Sequence, residues 1–175
     1  MPIKSLIRTI PDYPRPGIQF RDITSLLRDA KGLRIAVNGL ADPFRGDRID
    51  KVVGIEARGF LFGVAVALHL DAGFVPVRKA GKLPGSVVGR EYDLEYGSDR
   101  VEVHVDALEA GDRILIVDDL IATGGTADAT TRLISDIGAE IIGCAFVIDL
   151  PDLGGSSRLE ERGIRVLSLC AFEGE

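Results

Sequence analysis

The chain has 175 residues, a length that fits one domain with a sizeable core and gives no sign of a second. Its formal net charge of −6 and its pI near 5.0 exclude the basic surface of a nucleic-acid or anionic-membrane binder, so the expected partner is a small molecule. The first residues lack the apolar core of a signal peptide, and the longest apolar run, Phe60 to Leu70, is too short to span a bilayer. Cys144 and Cys170 lie in apolar runs without metal-type spacing, which favours free thiols and a cytoplasmic location.

The N-terminal segment presents an aromatic residue on a stiff loop. Residues 4–10 predict a short helix that Pro11 ends, and three prolines and a glycine in PDYPRPGIQFRDIT exclude regular structure after it. Phe20 beside Arg21 could stack on a flat base. The alternative, which the residues alone favour, is that Phe20 anchors the loop to the core.

A strand, a turn and an apolar helix follow. Between residues 24 and 44, apolar side chains recur at helical intervals, and Gly32 predicts a break between two helices. Residues 51–55 predict a strand that runs through Glu56-Ala57-Arg58-Gly59 into the apolar helix. Arg58 therefore stands at the carboxyl end of a strand, where a guanidinium can grip phosphate oxygens. The alternative is a surface arginine paired with Glu56.

A basic turn follows the next predicted strand, Phe74 to Arg78. In RKAGKLPG, the cations Arg78, Lys79 and Lys82 lie within five positions of an otherwise acidic chain. Such a concentration of positive charge would stabilise a leaving pyrophosphate. From the spacing alone, a solvated basic turn is the favoured interpretation.

The segment from Ser86 to Asp106 lacks a helical pattern. Val101, Val103 and Val105 alternate with polar residues, which predicts a half-exposed strand in its second part. The first part, GREYDLEYGSD, is typical of a mobile flap. A flap over a reacting centre would exclude water from an activated substrate.

The most informative stretch is ILIVDDLIATGGT at residues 114–126. It predicts a buried strand that stops at Asp118 and Asp119, a small-residue loop, and a helix that leads into a second buried strand at residues 141–148. This βαβ pattern implies parallel strands, whose carboxyl ends are where ligands of such sheets bind.

The loop residues Ala122 to Thr126 suit a phosphate. Two glycines admit close approach of main-chain N–H groups, and two threonine hydroxyls can donate further hydrogen bonds. Carboxylates beside such a cradle suit sugar hydroxyls or a phosphate-bound Mg²⁺, which together indicate a ribose phosphate. A Walker loop and a GxGxxG fingerprint are both missing. An ordinary helix-capping turn remains the alternative.

VDDLIATGGT resembles the phosphoribosyl pyrophosphate (PRPP) motif of the type I phosphoribosyltransferases, and its residues are most similar to those of the adenine-specific members. EARGFLFG, RKAGKLPG and LEYG resemble further family segments in the same order, and the resemblance runs from about Ile10 to the C-terminus. It implies an α/β fold with a central parallel twisted sheet flanked by helices. Within a single domain of residues 1–175, it implies an N-terminal hood over residues 1–25 and a mobile flap over residues 84–100.

The implied activity is transfer of the phosphoribosyl group from PRPP to N9 of adenine, giving AMP and pyrophosphate in purine salvage, with Mg²⁺ as cofactor and a homodimer as the assembly. The same reaction on a 6-oxopurine, a PRPP-sensing regulator and a non-catalytic nucleotide-binding module are the alternatives. Phe20 with Arg21 argues against a 6-oxopurine, and the acidic chain has no DNA-binding extension.

The resemblance also implies a role for each matched residue. Catalytic roles fall to Arg58, Lys79 and Glu95, the last as the acid or base for the purine proton. The ribose and its 5′-phosphate would be bound by Asp118, Asp119, Ala122, Thr123, Gly124, Gly125 and Thr126. Pyrophosphate would be bound by Arg58, Arg78, Lys79 and Lys82. Adenine would lie between Phe20 and Leu150, with its edge read by the Gln19 carbonyl and the Arg21 N–H, and Tyr96 would cover the site. Relatives usually carry an aliphatic residue in place of Gln19, and Glu95 as a merely solvated carboxylate is the open alternative.

Overall fold

Residues 2–174, which the computed structural model describes, contain a central seven-stranded sheet of order β5-β6-β4-β3-β7-β8-β9. Its strands are β3 (Lys51–Ile55), β4 (Gly73–Lys79), β5 (Val87–Asp93), β6 (Ser98–His104), β7 (Arg113–Ile121), β8 (Glu140–Asp149) and β9 (Val166–Ala171). Strands β4, β3, β7, β8 and β9 are parallel, and the β5–β6 hairpin extends the β4 edge antiparallel. The predicted central parallel sheet is confirmed, with an antiparallel edge that the sequence did not predict.

Helices cover both faces of this sheet. They are α1 (Thr24–Leu27), α2 (Ala30–Ala41), α3 (Gly59–His69), α4 (Gly125–Ile137) and α5 (Gly155–Glu160). Because side chains alternate along a strand, β7 buries Leu115 and Val117 on one face, in the cluster that holds Phe62 of α3. Ile114 and Ile116 lie on the other, in the cluster that holds Leu133 of α4. Two-sided burial explains why residues Ile114 to Val117 of β7 are continuously apolar.

The N-terminal segment is more regular than its prolines suggest. A 3₁₀ helix ends at Leu6, and β1 (Arg8–Pro11) pairs antiparallel with β2 (Gln19–Asp22). The predicted helix over residues 4–10 and the predicted irregular loop are therefore both wrong in part. The Arg8 guanidinium of β1 forms an ion pair with the buried Asp22 carboxylate of β2, and this contact helps to hold the two strands together.

The break between α1 and α2 lies at Asp29, three residues before the predicted position at Gly32. The chain leaves α1 after Leu27, and Asp29 caps the start of α2 by accepting a hydrogen bond from the Gly32 N–H at 2.6 Å. Gly32 thus lies inside the first turn of α2, so the predicted break at this residue is wrong. The N-cap carboxylate, and not the glycine, decides the boundary.

The predicted flap is a regular hairpin. Strand β5 pairs with β6 over its full length, and Val101, Glu102 and Val103 are all buried. The predicted half-exposed alternation in β6 is therefore wrong at Glu102. Its carboxylate accepts a hydrogen bond from the Gly81 N–H at 2.8 Å, because β6 packs beside the turn that follows β4.

Cys144 and Cys170 are free thiols, as predicted. Complete burial raises the pKa of the Cys144 thiol to about 12. Among residues 2–174, the helices fall short of the length and apolar character that a bilayer-crossing helix requires.

Candidate active site

The acidic pair lies within strand β7 and not after it. Pairing with β8 continues to Ile121 opposite Asp149, so the predicted strand end at Asp118 is wrong. Because consecutive residues of a strand point to opposite faces, the two carboxylates have different surroundings. Asp118 lines a cavity, whereas Asp119 is 4% exposed and forms an ion pair with the Arg58 Nε at 2.9 Å.

This ion pair excludes one interpretation of Arg58. The guanidinium is bound to Asp119 on the neighbouring strand, so the alternative pairing with Glu56 is wrong. Burial and the nearby Asp119 carboxylate raise the pKa of Asp118 well above its ordinary value. A cation or hydroxyl donor bound at Asp118 would favour its ionised form.

The predicted phosphate loop, residues 122–126, depends on the conformations of its glycines. Gly124 has φ +81°, a left-handed value that L side chains rarely adopt, and α4 begins at the next residue. The Gly155 N–H donates to the Ala122 carbonyl at 3.0 Å, and a Cβ at Gly155 would lie 2.4 Å from that oxygen. The start of α5 therefore packs directly on the loop, a contact that the sequence did not reveal.

A cavity of about 540 Å³ opens at the carboxyl ends of β3 and β7. Of the residues predicted to bind substrate, it is lined by Lys79, Glu95, Asp118, Ala122, Thr123, Gly124, Gly125 and Thr126. Residues without a predicted role complete the wall, and they are Ile55, Glu56, Tyr92, Asp93, Leu94, Leu120, Ile121, Ala127 and Arg158. The tertiary structure thus unites the predicted phosphate loop with Asp118, Lys79 and Glu95. The other predicted phosphate and ribose ligands, Arg58, Arg78, Lys82 and Asp119, are not among the lining residues.

The basic turn is organised by Glu56. This carboxylate lies 3.0 Å from Arg78 and 3.4 Å from Lys82, and it accepts a hydrogen bond from the Lys79 N–H at 2.9 Å. Burial alone would raise the pKa of Glu56, but hydrogen bonds from Arg78 and from the Lys79 N–H hold it below its ordinary value. Arg78 and Lys82 therefore have an ion-pair partner, but Ala80, Gly81 and Lys82 are exposed, so the interpretation as a solvated turn stays open.

The Lys79 side chain is held by the flap hairpin. Its Nζ lies 2.7 Å from Asp99 Oδ2 and also bonds the Tyr92 hydroxyl, which lies 3.1 Å from Thr126 Oγ1. Burial would lower the pKa of Lys79, but the partners Asp99 and Tyr92 raise it above its ordinary value. Tyr92 and Asp99 are directly opposite each other in the β5–β6 register, a relationship that becomes visible only once the strands pair.

Of the predicted base-binding residues, Phe20 lies beside Arg58. Its guanidinium carbon lies 5.4 Å from the centroid of the Phe20 ring, and Tyr13 packs edge-on against the same ring at 5.1 Å. The Arg21 side chain donates to Thr9 Oγ1 at 2.6 Å and stacks on Phe172, so it is tethered away from Phe20. The Phe20 ring therefore has packing partners and is only half-buried. Stacking on a base and anchoring of the segment to the core both remain possible roles for it.

The remaining predicted residues lie in different settings. Gln19 is half-buried in β2, and Leu150 is buried at 8% exposure with its N–H donating to the Ile121 carbonyl at 3.0 Å. Glu95 is exposed at the cavity wall, and Tyr96 is 83% exposed beside it. The residues predicted to bind adenine, and Tyr96, are not among the residues that line the cavity.

Comparison with known proteins assigns the family. Residues 24–165 match the family model described as a phosphoribosyl transferase domain. The adenine phosphoribosyltransferase of Nitrosospira multiformis is 60% identical over 174 residues, which cover 99% of each chain. The chain belongs to the adenine phosphoribosyltransferase family.

Solved structures of the family share this fold. The crystal structure of adenine phosphoribosyltransferase from Rhodothermus marinus matches with a TM-score of 0.92 at 54% identity, covering 97% of this chain and 96% of that one. The Saccharomyces cerevisiae adenine phosphoribosyltransferase, complexed with an imino-altritol bisphosphate and adenine, matches with a TM-score of 0.89 at 40% identity over 96% of each chain. The type I phosphoribosyltransferase fold expected from the sequence is confirmed.

Proposed function

We propose that the chain catalyses transfer of the 5-phosphoribosyl group from PRPP to N9 of adenine, giving AMP and pyrophosphate. One observation carries this proposal: a single cavity joins the phosphate loop, Asp118, Lys79 and Glu95 in a chain that is 60% identical to a full-length adenine phosphoribosyltransferase. The yeast relative that was solved with a sugar bisphosphate analogue and adenine supports a site that takes both substrates.

The ribose 5-phosphate end of PRPP would bind at the start of α4. Main-chain N–H groups of residues 122–126 and the two threonine hydroxyls would cradle the 5′-phosphate, aided by the positive end of the helix dipole. Asp118 would accept hydrogen bonds from the ribose hydroxyls. These contacts would orient C1′ before the reaction, and orientation is a large part of what such an enzyme must supply.

The diphosphate would bind toward the basic turn and Arg58. As the bond between C1′ and the diphosphate oxygen breaks, its electron pair leaves with pyrophosphate, and negative charge grows there. Lys79, Arg78, Lys82 and Arg58 would neutralise that charge. The contact of Asp119 with the Arg58 Nε leaves the two terminal guanidinium nitrogens available for phosphate oxygens.

Adenine would attack C1′ through N9 while held between Phe20 and Leu150. The ring would be read by the Gln19 carbonyl and the Arg21 N–H, because the Arg21 side chain is already tethered to Thr9 and Phe172. Glu95 at the cavity wall would take the proton that the purine ring loses. Tyr96, exposed on the same turn, would cover the site when the flap closes.

Mg²⁺ is the cofactor we propose, and the donor set suits it. Asp118 offers a carboxylate oxygen at the cavity, and Mg²⁺ prefers carboxylates, phosphate oxygens and water. Among residues 2–174, no group of three or more His, Cys, Asp or Glu side chains could hold a metal by itself, so the ion would arrive mainly on PRPP oxygens. When bound, Mg²⁺ would add positive charge against the developing pyrophosphate.

We also propose a homodimer that acts in cytoplasmic purine salvage. On α3, Leu61, Val64 and Leu68 are exposed at 52%, 44% and 79%, and their spacing places them on one helix face. An exposed apolar face of this kind favours a second copy as its partner. Sedimentation of the purified protein, with Leu68→Asp as the comparison, tests the assembly.

The function is tested by mixing the protein with PRPP and Mg²⁺, and adding adenine, hypoxanthine, guanine or uracil in separate reactions. Chromatography should detect AMP from adenine alone. Product from a 6-oxopurine would overturn the base assignment. Measurable PRPP binding without product from any base would favour a PRPP-sensing protein instead.

A further inference from the structure

Arg158 stands out among the residues of the cavity wall that have no predicted role. It lies on α5, one helical turn after Gly155, whose N–H bonds the Ala122 carbonyl of the phosphate loop. Arg158 lines the same cavity as that loop, and its side chain is 52% exposed. The guanidinium is therefore next to the loop and accessible to a ligand.

A buried carboxylate fixes the position of this side chain. Asp128, 3% exposed in the first turn of α4, accepts a hydrogen bond from Arg158 at 2.9 Å. Arg132 bonds the same carboxylate at 3.1 Å, and Arg162 bonds it while also donating to Thr131 Oγ1 at 2.8 Å. Burial would raise the pKa of Asp128, but these three arginines hold it below its ordinary value.

The charges of this cluster favour an anion. A carboxylate in the first turn of a phosphate-binding helix would by itself repel phosphate, but here three guanidinium cations surround it and leave an excess of positive charge. Of the described cavity-lining residues, Lys79 and Arg158 carry the cationic side chains. Lys79 already has its own counterion in Asp99, whereas Arg158 shares Asp128 with two other arginines.

We propose that Arg158 binds the 5′-phosphate of PRPP and AMP, and that Asp128 is a positioning residue that aims it at the phosphate loop. The inference rests on the proposed function and adds a side-chain ligand to a loop that otherwise offers main-chain N–H groups and hydroxyls. A planar guanidinium held by one carboxylate still presents free N–H groups for bidentate phosphate contact. Arg162 is bound to both Asp128 and Thr131, and neither Arg162 nor Arg132 is among the residues that line the cavity.

The test compares Arg158→Gln with Arg132→Gln by titration calorimetry. Each variant removes one guanidinium from the same carboxylate, so the two match in the change of formal charge. For Arg158→Gln, ribose 5-phosphate should bind about ten- to hundredfold more weakly, as expected for loss of a charge-assisted hydrogen bond. Pyrophosphate affinity should be unchanged, and Arg132→Gln should weaken ribose 5-phosphate much less than Arg158→Gln, because it lowers the charge of the cluster without removing a guanidinium that lines the cavity.

Three results would overturn the inference. Equal weakening in both variants would mean that the cluster acts through structure or general charge. Loss of pyrophosphate affinity would place Arg158 at the diphosphate end, and unchanged ribose 5-phosphate affinity would remove it from binding. If Arg158→Gln does not fold, Arg158→Lys serves instead, and it should weaken ribose 5-phosphate because it loses the bidentate geometry while it keeps the charge.

Failure of this inference would be distinguishable from failure of the proposed function. AMP formation by the unmodified protein from adenine and PRPP tests the function, whatever the variants bind. In the same assay, Arg158→Gln should raise KM for PRPP and leave KM for adenine nearly unchanged. A general loss of active protein would lower kcat without that selective change.

Discussion

The Lys79 Nζ lies 2.7 Å from Asp99 Oδ2, so a proposed pyrophosphate-binding lysine has a carboxylate of the flap as its partner. Both side chains are about one-third exposed, at 34% and 31%. Diphosphate and Asp99 would therefore compete for one ammonium group.

Asp99→Asn should release Lys79 and tighten pyrophosphate binding. The partly exposed ion pair is worth on the order of 1 kcal/mol, so the affinity should rise by about fivefold. Titration calorimetry with pyrophosphate measures this. Asp136→Asn, which breaks the flap's exposed pair with Arg90, is the matched control and should leave the affinity unchanged. Weaker pyrophosphate binding by Asp99→Asn would mean that Asp99 holds the Lys79 ammonium group in the position that binds pyrophosphate.

Phe20→Ala should weaken the use of adenine by about 1–3 kcal/mol, the scale of base–aromatic stacking. PRPP affinity should stay nearly the same, because the ring is proposed to contact the base alone. Steady-state kinetics with each substrate varied in turn separates the two effects. Equal losses for adenine and PRPP would show that Phe20 acts through its packing with Tyr13 and Arg58.

Glu95→Gln should lower kcat by roughly 10²–10⁴-fold if the carboxylate takes the purine proton. PRPP affinity should be retained, since the substitution keeps the size of the side chain. Glu91→Gln, an exposed position in β5 of the same flap, is the control and should behave like the unmodified protein. An unaltered kcat in Glu95→Gln would favour the solvated-carboxylate alternative.

Gly155→Ala should damage both stability and PRPP binding. Its Cβ would lie 2.4 Å from the Ala122 carbonyl oxygen and 2.8 Å from the Gly124 nitrogen, and neither backbone atom can move without distorting the loop. A loss of about 1–3 kcal/mol in the free energy of unfolding is expected, together with a raised KM for PRPP. In Gly46→Ala, the added Cβ would meet nothing within 4 Å, so stability and KM should be nearly unchanged. A Gly155→Ala protein with normal PRPP kinetics would contradict this account of the loop.

Asp22 should make folding stability fall in acid. Hydrogen bonds from Arg8 and the Thr24 N–H lower the pKa of Asp22 from 3.8 to about 2. Folding therefore favours the ionised carboxylate. Its contribution to the free energy of unfolding is fully present above the unfolded pKa and is lost as pH falls from about 4 to about 2. Thermal unfolding across this range should show a steeper decline for the unmodified protein than for Asp22→Asn. Parallel declines would mean that other carboxylates dominate acid unfolding.

Local sequence was sufficient for much of the fold. The apolar runs and glycine turns around Lys51–Ile55, Ile114–Val117 and Gly125–Ile137 predicted two parallel strands and helix α4, because each pattern depends on neighbours in the chain. Boundaries were less reliable where a distant partner intervened. Strand β7 continues through Asp118 and Asp119 because β8 pairs alongside it, and Gln19–Asp22 forms a strand because β1 supplies the other edge.

The sequence by itself determined the order and chemistry of the motifs: an acidic pair, a Thr-Gly-Gly-Thr loop, a basic turn and a glutamate-bearing flap. Only the tertiary structure decided which of these groups are partners. Arg58 pairs with Asp119, Lys79 with Asp99, and Arg158 with Asp128, because strand order and helix packing bring residues of different elements within a few ångströms. Electrostatic energy depends on distance in space and on burial, and neither is encoded in the local spacing of residues along the chain.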